Sequence, residues 1–346
     1  MTAERLLTHC AAHPLLQPAD LCKFLHQSTF GCEHLIASPE AAVAYIEAEA
    51  AAMQSEESLT QRLDGDFYRV SLGWLKEGLK AETLGRLFYL SAKPTGSVAE
   101  LEEKLAVAKA LAAEGRLPFP LEALESTVAD WQAAGYPARH HSEEFRAAYR
   151  PAYRVIHKDF VPFLPLLAAI DRRGGTGLVA IEGGSASGKT TLSRLLEKVY
   201  DPTVFHMDDF FLQPHQRTPE RFAEPGGNVD RERFLEEVLA PLSEGKPVAY
   251  RPFDCSTCEL LPAETVIPKP LVIVEGAYSM HPTLAGYYDL SAFLDVEPDL
   301  QKARIEKRNS PALAARFFAE WIPMERRYWE AFSIPEACDI RIKIEE

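Results

Sequence analysis

Hydrophobic and polar residues are arranged differently in the two halves of the chain. Up to about residue 155, the apolar positions recur mainly at helical spacing, for example at Leu101, Leu105 and Leu111, so these segments have one apolar face. From about residue 156 onward, short apolar runs alternate with helical patterns, which is typical of β-α-β units around a parallel sheet. The sequence therefore predicts a mostly α-helical domain at residues 1–155 and an α/β domain at residues 156–346.

End signals and apolar runs give approximate bounds for the individual elements. Ser38 followed by Pro39 is a typical helix start, and Ser97 with Glu100 forms a capping box. Gly135 is the expected end of a helix that begins near residue 121. In the second half, the predicted strands are residues 178–181, 203–206, 271–274, 291–296 and 339–344, and the predicted helices are residues 190–199, 230–242, 300–308 and 312–332.

The bulk composition is that of an ordinary globular protein with an acidic balance. The chain has 346 residues, 47% of them hydrophobic and 25% charged, and its formal net charge is −14. Long nucleic acids need a basic protein face, so neither DNA nor duplex RNA is an expected partner. No apolar run approaches membrane length, and the N-terminal residues lack a signal-peptide pattern. We therefore expect a cytoplasmic protein with no membrane partner; a homo-oligomer remains open.

The six cysteines are expected to be thiols in a reducing compartment. Cys255 and Cys258 have C-x-x-C spacing, but no second pair lies nearby, so we favour ordinary loop cysteines over a zinc site. A second group in the first half comprises His9, Cys10, His13, Cys22, His26, Cys32 and His34. Because its spacing matches no metal pattern, buried thiols and core histidines are expected there.

One octet in the second half carries the strongest chemical signal. It reads Gly183-Gly184-Ser185-Ala186-Ser187-Gly188-Lys189-Thr190, is followed by Thr191, and fits the pattern G-x-x-x-x-G-K-[ST]. It lies between a β-leaning apolar run and an amphipathic helix start, so backbone N–H groups and a helix dipole converge on one point. In this phosphate loop (residues 183–190), Lys189 is expected to reach the β- and γ-phosphates of a nucleotide, and Thr190 to hold Mg²⁺. The alternative is a glycine-rich turn that binds nothing.

A pair of carboxylates comes just after the next predicted strand. Asp208 and Asp209 are followed by two aromatic residues, Phe210 and Phe211. Ligands of open α/β sheets lie at the carboxyl ends of the strands, so we expect at least one of these aspartates near the γ-phosphate. A carboxylate there takes the proton from an attacking hydroxyl or holds Mg²⁺. An ordinary pair of loop carboxylates is the alternative.

Two later motifs suit the same chemistry. Glu275 ends a continuous apolar strand, where an acid suits the water shell of Mg²⁺, and Gly276 allows a sharp backbone turn. Arg304 and Arg308 are four residues apart and therefore share one face of a predicted helix. Two guanidinium groups beside a phosphate loop can neutralise charge on a transferred phosphoryl group. Charged helix faces are common, so this pair alone does not indicate a phosphate site. It supports one only because it follows the other motifs along the chain.

Together, these motifs resemble the uridine kinase/phosphoribulokinase family of P-loop kinases over about residues 176–346. The phosphate loop is very similar to that of uridine kinases, and residues 207–211 resemble the family's Asp-x-Phe-Tyr segment. The resemblance implies that Asp208 is the general base, that Asp209 and Phe211 lie beside the acceptor, and that ATP and Mg²⁺ are the cofactors. It also implies that Glu275 sits at Mg²⁺.

The resemblance extends in part to the acceptor site. Asp230, in an Asn-Val-Asp segment, is similar to a family aspartate that binds ribose hydroxyls, and Phe253 lies in a segment similar to one that packs on the base. However, Phe253 stands where uridine kinases have tyrosine, and Cys258 stands where they have a histidine that contacts the base. The lid between Arg308 and Arg316 is short and has few arginines. The sequence therefore leaves the identity of the acceptor open.

The motifs predict an ATP- and Mg²⁺-dependent enzyme that phosphorylates a hydroxyl of a small molecule, in the first instance a nucleoside. A kinase for pantothenate or a sugar phosphate is one alternative. The other is a nucleotide-gated regulator whose helical half is the output module. That half carries no recognised chemical motif. Its polar stretches at residues 27–34 and 140–154 could form a binding surface or an interdomain hinge, and we favour the hinge.

Overall fold

The chain folds as two compact units, Met1–Leu164 and Pro165–Glu346. The structure, a computed structural model, describes residues 3–32, 38–53, 58–92 and 95–345. Within these ranges no helix has the length and apolar character needed to cross a lipid bilayer.

In the N-terminal histidine and cysteine group, Cys10, Cys22 and Cys32 are buried free thiols. His34 of that group lies outside the described residues.

The first unit is mainly helical. Its helices are α1 (Ala3–Ala12), α2 (Pro18–Phe30), α3 (Pro39–Ala52), α4 (Ala81–Ser91), α5 (Val98–Ala113), α6 (Leu121–Ala133) and α7 (Glu143–Tyr149). The hydroxyl oxygens of Ser38 and Ser97 accept from the backbone N–H of Ala41 and Glu100, so both predicted helix starts are confirmed.

The first unit also contains a small antiparallel sheet that the helical pattern did not predict. Its strands are β1 (Thr60–Arg62), β2 (Phe67–Ser71) and β3 (Tyr153–His157), in the order β1-β2-β3. β3 pairs with β2 across a long stretch of sequence, with His157 opposite Phe67. Local periodicity cannot indicate such a pairing, because the partner strand is distant in the chain. The predicted boundary after residue 155 falls inside β3, which belongs to the first unit.

The second unit is a parallel sheet flanked by helices, as the sequence predicted. Its strands are β4 (Gly177–Gly183), β5 (Thr203–His206), β6 (Val248–Tyr250), β7 (Phe253–Asp254), β8 (Glu259–Leu260), β9 (Glu264–Val266), β10 (Leu271–Glu275), β11 (Leu290–Val296) and β12 (Ile340–Ile344). Its helices are α8 (Leu164–Arg172), α9 (Lys189–Tyr200), α10 (Pro219–Ala223), α11 (Arg231–Phe234), α12 (Ala240–Ser243), α13 (Pro282–Ala285), α14 (Pro298–Arg308), α15 (Pro311–Arg316), α16 (Ile322–Phe332) and α17 (Ile334–Ala337).

The main sheet has five strands in the order β12-β11-β4-β10-β5, all parallel to their neighbours. Two small antiparallel pairs, β6 with β9 and β7 with β8, lie outside it. Every residue of β10 is buried, which explains its uninterrupted apolar sequence, since strands of a parallel sheet are covered on both faces. The core around the sheet includes Phe205, Val274 and Phe293 and reaches Tyr328 of α16.

Two helices predicted as continuous are each interrupted by a π-helical turn. These turns are Leu235–Leu239, between α11 and α12, and Phe317–Trp321, between α15 and α16. Each turn directly precedes a helix with proline in its first turn, Pro241 in α12 and Pro323 in α16. Proline lacks an N–H, and its ring clashes with the carbonyl four residues earlier, so a wider turn at this point relieves the clash.

Candidate active site

The carboxyl ends of three neighbouring strands bring the main sequence motifs together. β10 lies between β4 and β5, and Glu275 at its end is in register with Ile181 of β4 and His206 of β5. The phosphate loop follows β4, and Asp208 follows β5 in a short 3₁₀ turn. The site therefore occupies the edge of the sheet where open α/β folds bind ligands.

The phosphate loop has the backbone conformation that its glycines permit. Gly183 and Gly188 have φ values of +149° and +107°, and Ala186 between them has a φ of +58°. Successive N–H groups in such turns form concave anion-binding nests. Nζ of Lys189 donates to the carbonyl oxygens of Gly183 and Gly184 at 2.8 and 2.9 Å, which holds the ammonium group over the loop.

Glu275 forms hydrogen bonds with two side chains beside the phosphate loop. Its Oε1 accepts from Thr190 Oγ1 at 3.3 Å and from Nδ1 of His206 at 2.7 Å. Burial opposes ionisation of Glu275, but the His206 hydrogen bond and the Lys189 charge hold its pKa below the ordinary value. The same hydrogen bond raises the pKa of His206.

The oxygen atoms at this point suit a hard cation. Thr190 and Glu275 supply a hydroxyl and a carboxylate, and Mg²⁺ is commonly bound by a few protein oxygens with waters and substrate phosphates. Across the described part of the chain, no group of three or more His, Cys, Asp or Glu side chains is placed to hold a metal ion. The donor set fits a Mg²⁺ ion that is bound together with a nucleotide.

The two aspartates after β5 have different surroundings. Asp208 is exposed, but the surrounding protein partly desolvates its carboxyl group and raises its pKa, whereas Lys189 and Arg308 oppose the rise. Desolvation also raises the pKa of Asp209; the charges of His206 and Arg233 oppose this rise, and those of Asp208 and Glu264 add to it. The Asp209 carbonyl oxygen accepts from Arg233 at 2.8 Å. The Asp208 carboxylate thus interacts with the charge of the phosphate-loop lysine, Lys189, whereas Asp209 contacts Arg233 through its backbone.

Helix α14 buttresses the phosphate loop. Arg304 donates from one terminal nitrogen to the carbonyl oxygens of Ala186 and Ser187 at 3.2 and 3.4 Å. Gln301, one turn earlier, donates to the carbonyl oxygen of Ser185 at 2.8 Å. Arg308 is exposed at the end of the same helix, and its charge lowers the pKa of Asp208. Of the two predicted arginines, Arg304 contacts the loop, whereas Arg308 acts on Asp208 through its charge.

Two buried glutamates that the sequence did not single out also surround the loop. Glu182, immediately before the loop, accepts backbone N–H groups of Gly183 and Met280 at 2.8 and 3.1 Å. Burial raises its pKa to about 7, against the effect of these donors. Glu325 of α16 accepts from the N–H and the hydroxyl of Ser185. Burial raises the pKa of Glu325 as well.

The predicted acceptor residues are partly committed to internal contacts. Asp230 is only 3% exposed and caps α11, with Oδ1 accepting from the N–H of Arg233 at 3.1 Å. Its Oδ2 accepts from Nε2 of Gln216 at 2.9 Å. Phe211 is half-buried and forms an isolated β-bridge with Val229. Both oxygens of Asp230 therefore already have a donor. The binding of ribose hydroxyls by Asp230 stays a prediction.

The hairpin β7–β8 carries the remaining predicted acceptor residues. Phe253 is buried, and the guanidinium of Arg217 lies 5.7 Å from the centre of its ring. Cys258 is half-exposed in the turn, with a φ of +59°, and its thiol lies 3.8 Å from the carbonyl oxygen of Cys255. Neither residue is placed against the phosphate loop by any contact in the structure.

The residues that the sequence missed differ in how visible they were. His206 stands at the end of a predicted strand two residues before Asp208, so its position alone signalled the site. Glu182 was visible as a charged residue directly after the apolar run at residues 178–181. Glu325 carried no local signal, because it lies far along the chain and reaches the loop only through the packing of α16.

The comparisons with known proteins concern the second unit. The model of the Phosphoribulokinase / Uridine kinase family matches residues 178–310. Uridine kinase of Chloroflexus aurantiacus is 28% identical over 142 residues, which are 38% of this chain and 67% of that protein. Uridine kinase of Staphylococcus epidermidis is 28% identical over 140 residues, 37% of this chain and 66% of that protein.

Among solved structures, a possible uridine kinase from Bacillus stearothermophilus is similar over 48% of this chain and 87% of its own, with 19% sequence identity and a TM-score of 0.38. The resemblance that the motifs indicated is confirmed by the family match, which spans the phosphate loop, Asp208, Glu275 and Arg304. Residues 178–310 of this chain therefore match the phosphoribulokinase/uridine kinase family, as the motifs indicated.

Proposed function

We propose that the protein is an ATP- and Mg²⁺-dependent kinase that phosphorylates a hydroxyl group of a small molecule, in the first instance a nucleoside. The proposal is carried by groups that meet at one edge of the sheet. They are the phosphate loop with Lys189, the carboxylate of Asp208, and the hydroxyl of Thr190 with the carboxylate of Glu275. A protein that only senses nucleotide needs no base for an acceptor. The cytoplasmic location expected from the sequence is part of this proposal.

The side chains divide the work of phosphoryl transfer. Asp208 accepts the proton of the acceptor hydroxyl as its oxygen bonds to the γ-phosphorus and the bond from that phosphorus to the β–γ bridging oxygen breaks. Lys189 and Arg304 offset the negative charge on the phosphates, and ADP leaves. Thr190 and Glu275 would hold Mg²⁺, which supplies further neutralisation of phosphate charge. The transition state is loose, so catalysis rests on positioning and electrostatics.

The raised pKa of Asp208 suits the role of a base. Desolvation disfavours its ionised form, so its carboxylate holds a proton more strongly than an ordinary aspartate. The pKa of Asp209 is shifted in the same direction, but the charges of Lys189 and Arg308 act on Asp208, so we assign the role to Asp208. The charges of Lys189 and Arg308 oppose this shift.

A nucleoside acceptor is supported by the family match and by the relatives named as uridine kinases. One observation favours a second candidate, a kinase for another hydroxyl compound such as pantothenate or a sugar phosphate. Asp230 is buried, and its oxygens already accept from Gln216 and from the backbone of α11, so little of its carboxylate is presented to a ribose. Phe253 and Cys258 also lack the polar groups that uridine kinases present to the base.

The test is ADP release from ATP and Mg²⁺ with acceptors added one at a time: nucleosides, pantothenate, ribulose 5-phosphate and simple sugars. We expect one acceptor to stimulate ADP release and Lys189→Ala to reduce that rate by about a thousandfold or more. Arg194→Ala, an exposed substitution on the same helix, is the matched control and should remain active. Near-normal turnover by Lys189→Ala would refute the assignment. ATP binding without turnover across the panel would favour the regulator.

A further inference from the structure

The phosphate loop already holds an anionic side chain of this chain. Both carboxylate oxygens of Glu325 accept from the backbone N–H of Ser185, at 3.0 and 3.1 Å, and Oε1 also accepts from the Ser185 hydroxyl at 2.6 Å. The Glu325 side chain is 3% exposed, so the contact excludes water. Charge-assisted bonds of this kind are the strong ones among protein hydrogen bonds.

The contacted N–H group belongs to the anion-binding part of the loop. Ser185 lies between Gly183 and Lys189, in the segment whose N–H groups are directed at a nucleotide phosphate in loops of this pattern. The ammonium group of Lys189 also acts on Glu325, since its charge lowers the pKa of that carboxyl. Glu325 thus uses the two features, backbone N–H and lysine charge, that a phosphate would use.

Glu325 is not a loose surface side chain but part of a packed helix. On the same helix, Tyr328 donates to Oε2 of Glu182 at 3.2 Å and is fully buried. Trp329 packs against the loop so closely that a Cβ added to Gly184 would lie 2.8 Å from the indole ring. Helix α16 is therefore joined to the phosphate loop at several points, and Glu325 cannot leave without disturbing that packing.

A phosphate that bound the Ser185 N–H would compete with the Glu325 carboxylate for the same donor. Two anions that share one N–H donor in a water-excluded site repel each other strongly, because the local dielectric constant is low. Protein interiors are close-packed, so such a conflict is resolved by a shift of the packed element.

We propose that Glu325 is an internal stand-in for phosphate: it occupies the loop in the nucleotide-free protein, and ATP displaces it together with α16. The inference rests on the proposed function, since it requires that the loop binds a nucleotide. Displacement uses part of the binding energy of ATP, so α16 reports whether the loop is filled.

The experiment measures ATP affinity and the emission of Trp329 in the full chain. Removing the competing carboxylate in Glu325→Gln should tighten ATP binding by about tenfold. Because the glutamine oxygen can still accept from Ser185, Glu325→Ala serves as a second variant. Glu330→Gln makes the same charge change at an exposed position of α16 and should bind ATP like the wild type.

ATP should change tryptophan emission in the wild type, and Trp329→Phe should abolish most of that change. In Glu325→Ala the emission should already differ before ATP is added. Equal ATP affinity in the wild type and both Glu325 variants would overturn the inference and leave the kinase proposal standing. Failure of all three proteins to bind ATP would instead refute the proposed function, and the inference with it. Binding by the Glu325 variants but not by the wild type would support the inference in its strongest form.

Discussion

His206 and Glu275 are joined across neighbouring strands by a 2.7 Å contact between Nδ1 and Oε1. The two residues are in direct register at the ends of β5 and β10. The same oxygen accepts from Thr190, so both contacts hold the carboxylate of Glu275 through one of its two oxygens. Partners of this kind fix the orientation of a ligating carboxylate and tune its affinity for metal.

Loss of His206 should therefore impair the use of Mg²⁺. We expect His206→Ala to raise the Mg²⁺ concentration for half-maximal activity by about tenfold, because Glu275 loses the contact that orients it. Activity as a function of Mg²⁺ at saturating ATP measures this. His215→Ala removes an exposed histidine outside the site and serves as the control. Identical Mg²⁺ curves for the wild type and His206→Ala would rule out an orienting role.

The two aspartates after β5 should differ in their contribution to turnover. Asp208→Asn removes the base that faces the phosphate loop, so kcat should fall by about a thousandfold while the Kd for ATP changes little. Asp209→Asn, the matched variant, should lose much less, because Asp208 is the aspartate on which the Lys189 and Arg308 charges act. Steady-state kinetics and ATP titrations separate the two effects. Equal losses of kcat and ATP affinity in Asp208→Asn would identify Asp208 as a metal ligand instead of the base.

Arg304 should act on both the loop and the phosphates. Arg304→Ala removes a cation and two hydrogen bonds to loop carbonyl oxygens, so kcat/KM for ATP should fall by about a hundredfold. Lys302→Ala, at an exposed position of the same helix, is the control for loss of positive charge. A similar fall in both variants would mean that general charge, and not the contact with Ala186 and Ser187, is responsible.

Glu182 should make the stability of the second unit depend on pH. Its pKa is raised from 4.5 to about 7 in the folded state, so the folded protein holds this proton more tightly than the unfolded chain. Its contribution is fully present below about pH 4.5 and is lost as the pH rises through about 7. Glu182→Gln cannot ionise, so its stability relative to the wild type should rise by about 3 kcal/mol across that window.

Urea unfolding at several pH values measures the difference between these two proteins, with Glu330→Gln as a control for the loss of one exposed carboxylate. Parallel pH profiles for the wild type and Glu182→Gln would show that Glu182 does not titrate in this range. The carboxylate would then be kept ionised by its backbone donors.

Much of the second unit could be predicted from the sequence because its signals are local. The strand at residues 203–206 coincides with β5, and the strand at residues 271–274 lacks only Glu275 of β10. The phosphate loop is a contiguous motif between a strand and a helix, so its residue types and conformation could be derived together. The placement of Asp208 and Glu275 followed from one rule, that the carboxyl ends of parallel strands meet at one edge.

Other features depended on contacts between distant parts of the chain. The sheet of the first unit pairs Phe67 with His157, and no local periodicity records that pairing. The hydrogen bonds of Glu325 to Ser185 and of Glu182 to Tyr328 likewise join segments that are far apart in sequence. The sequence by itself determined the chemistry of the loop and the approximate positions of the main strands along the chain, because both depend on neighbouring residues. Only the tertiary structure decided which buried carboxylates surround the loop, because side chains from separate elements meet there through the packing of one helix on the sheet.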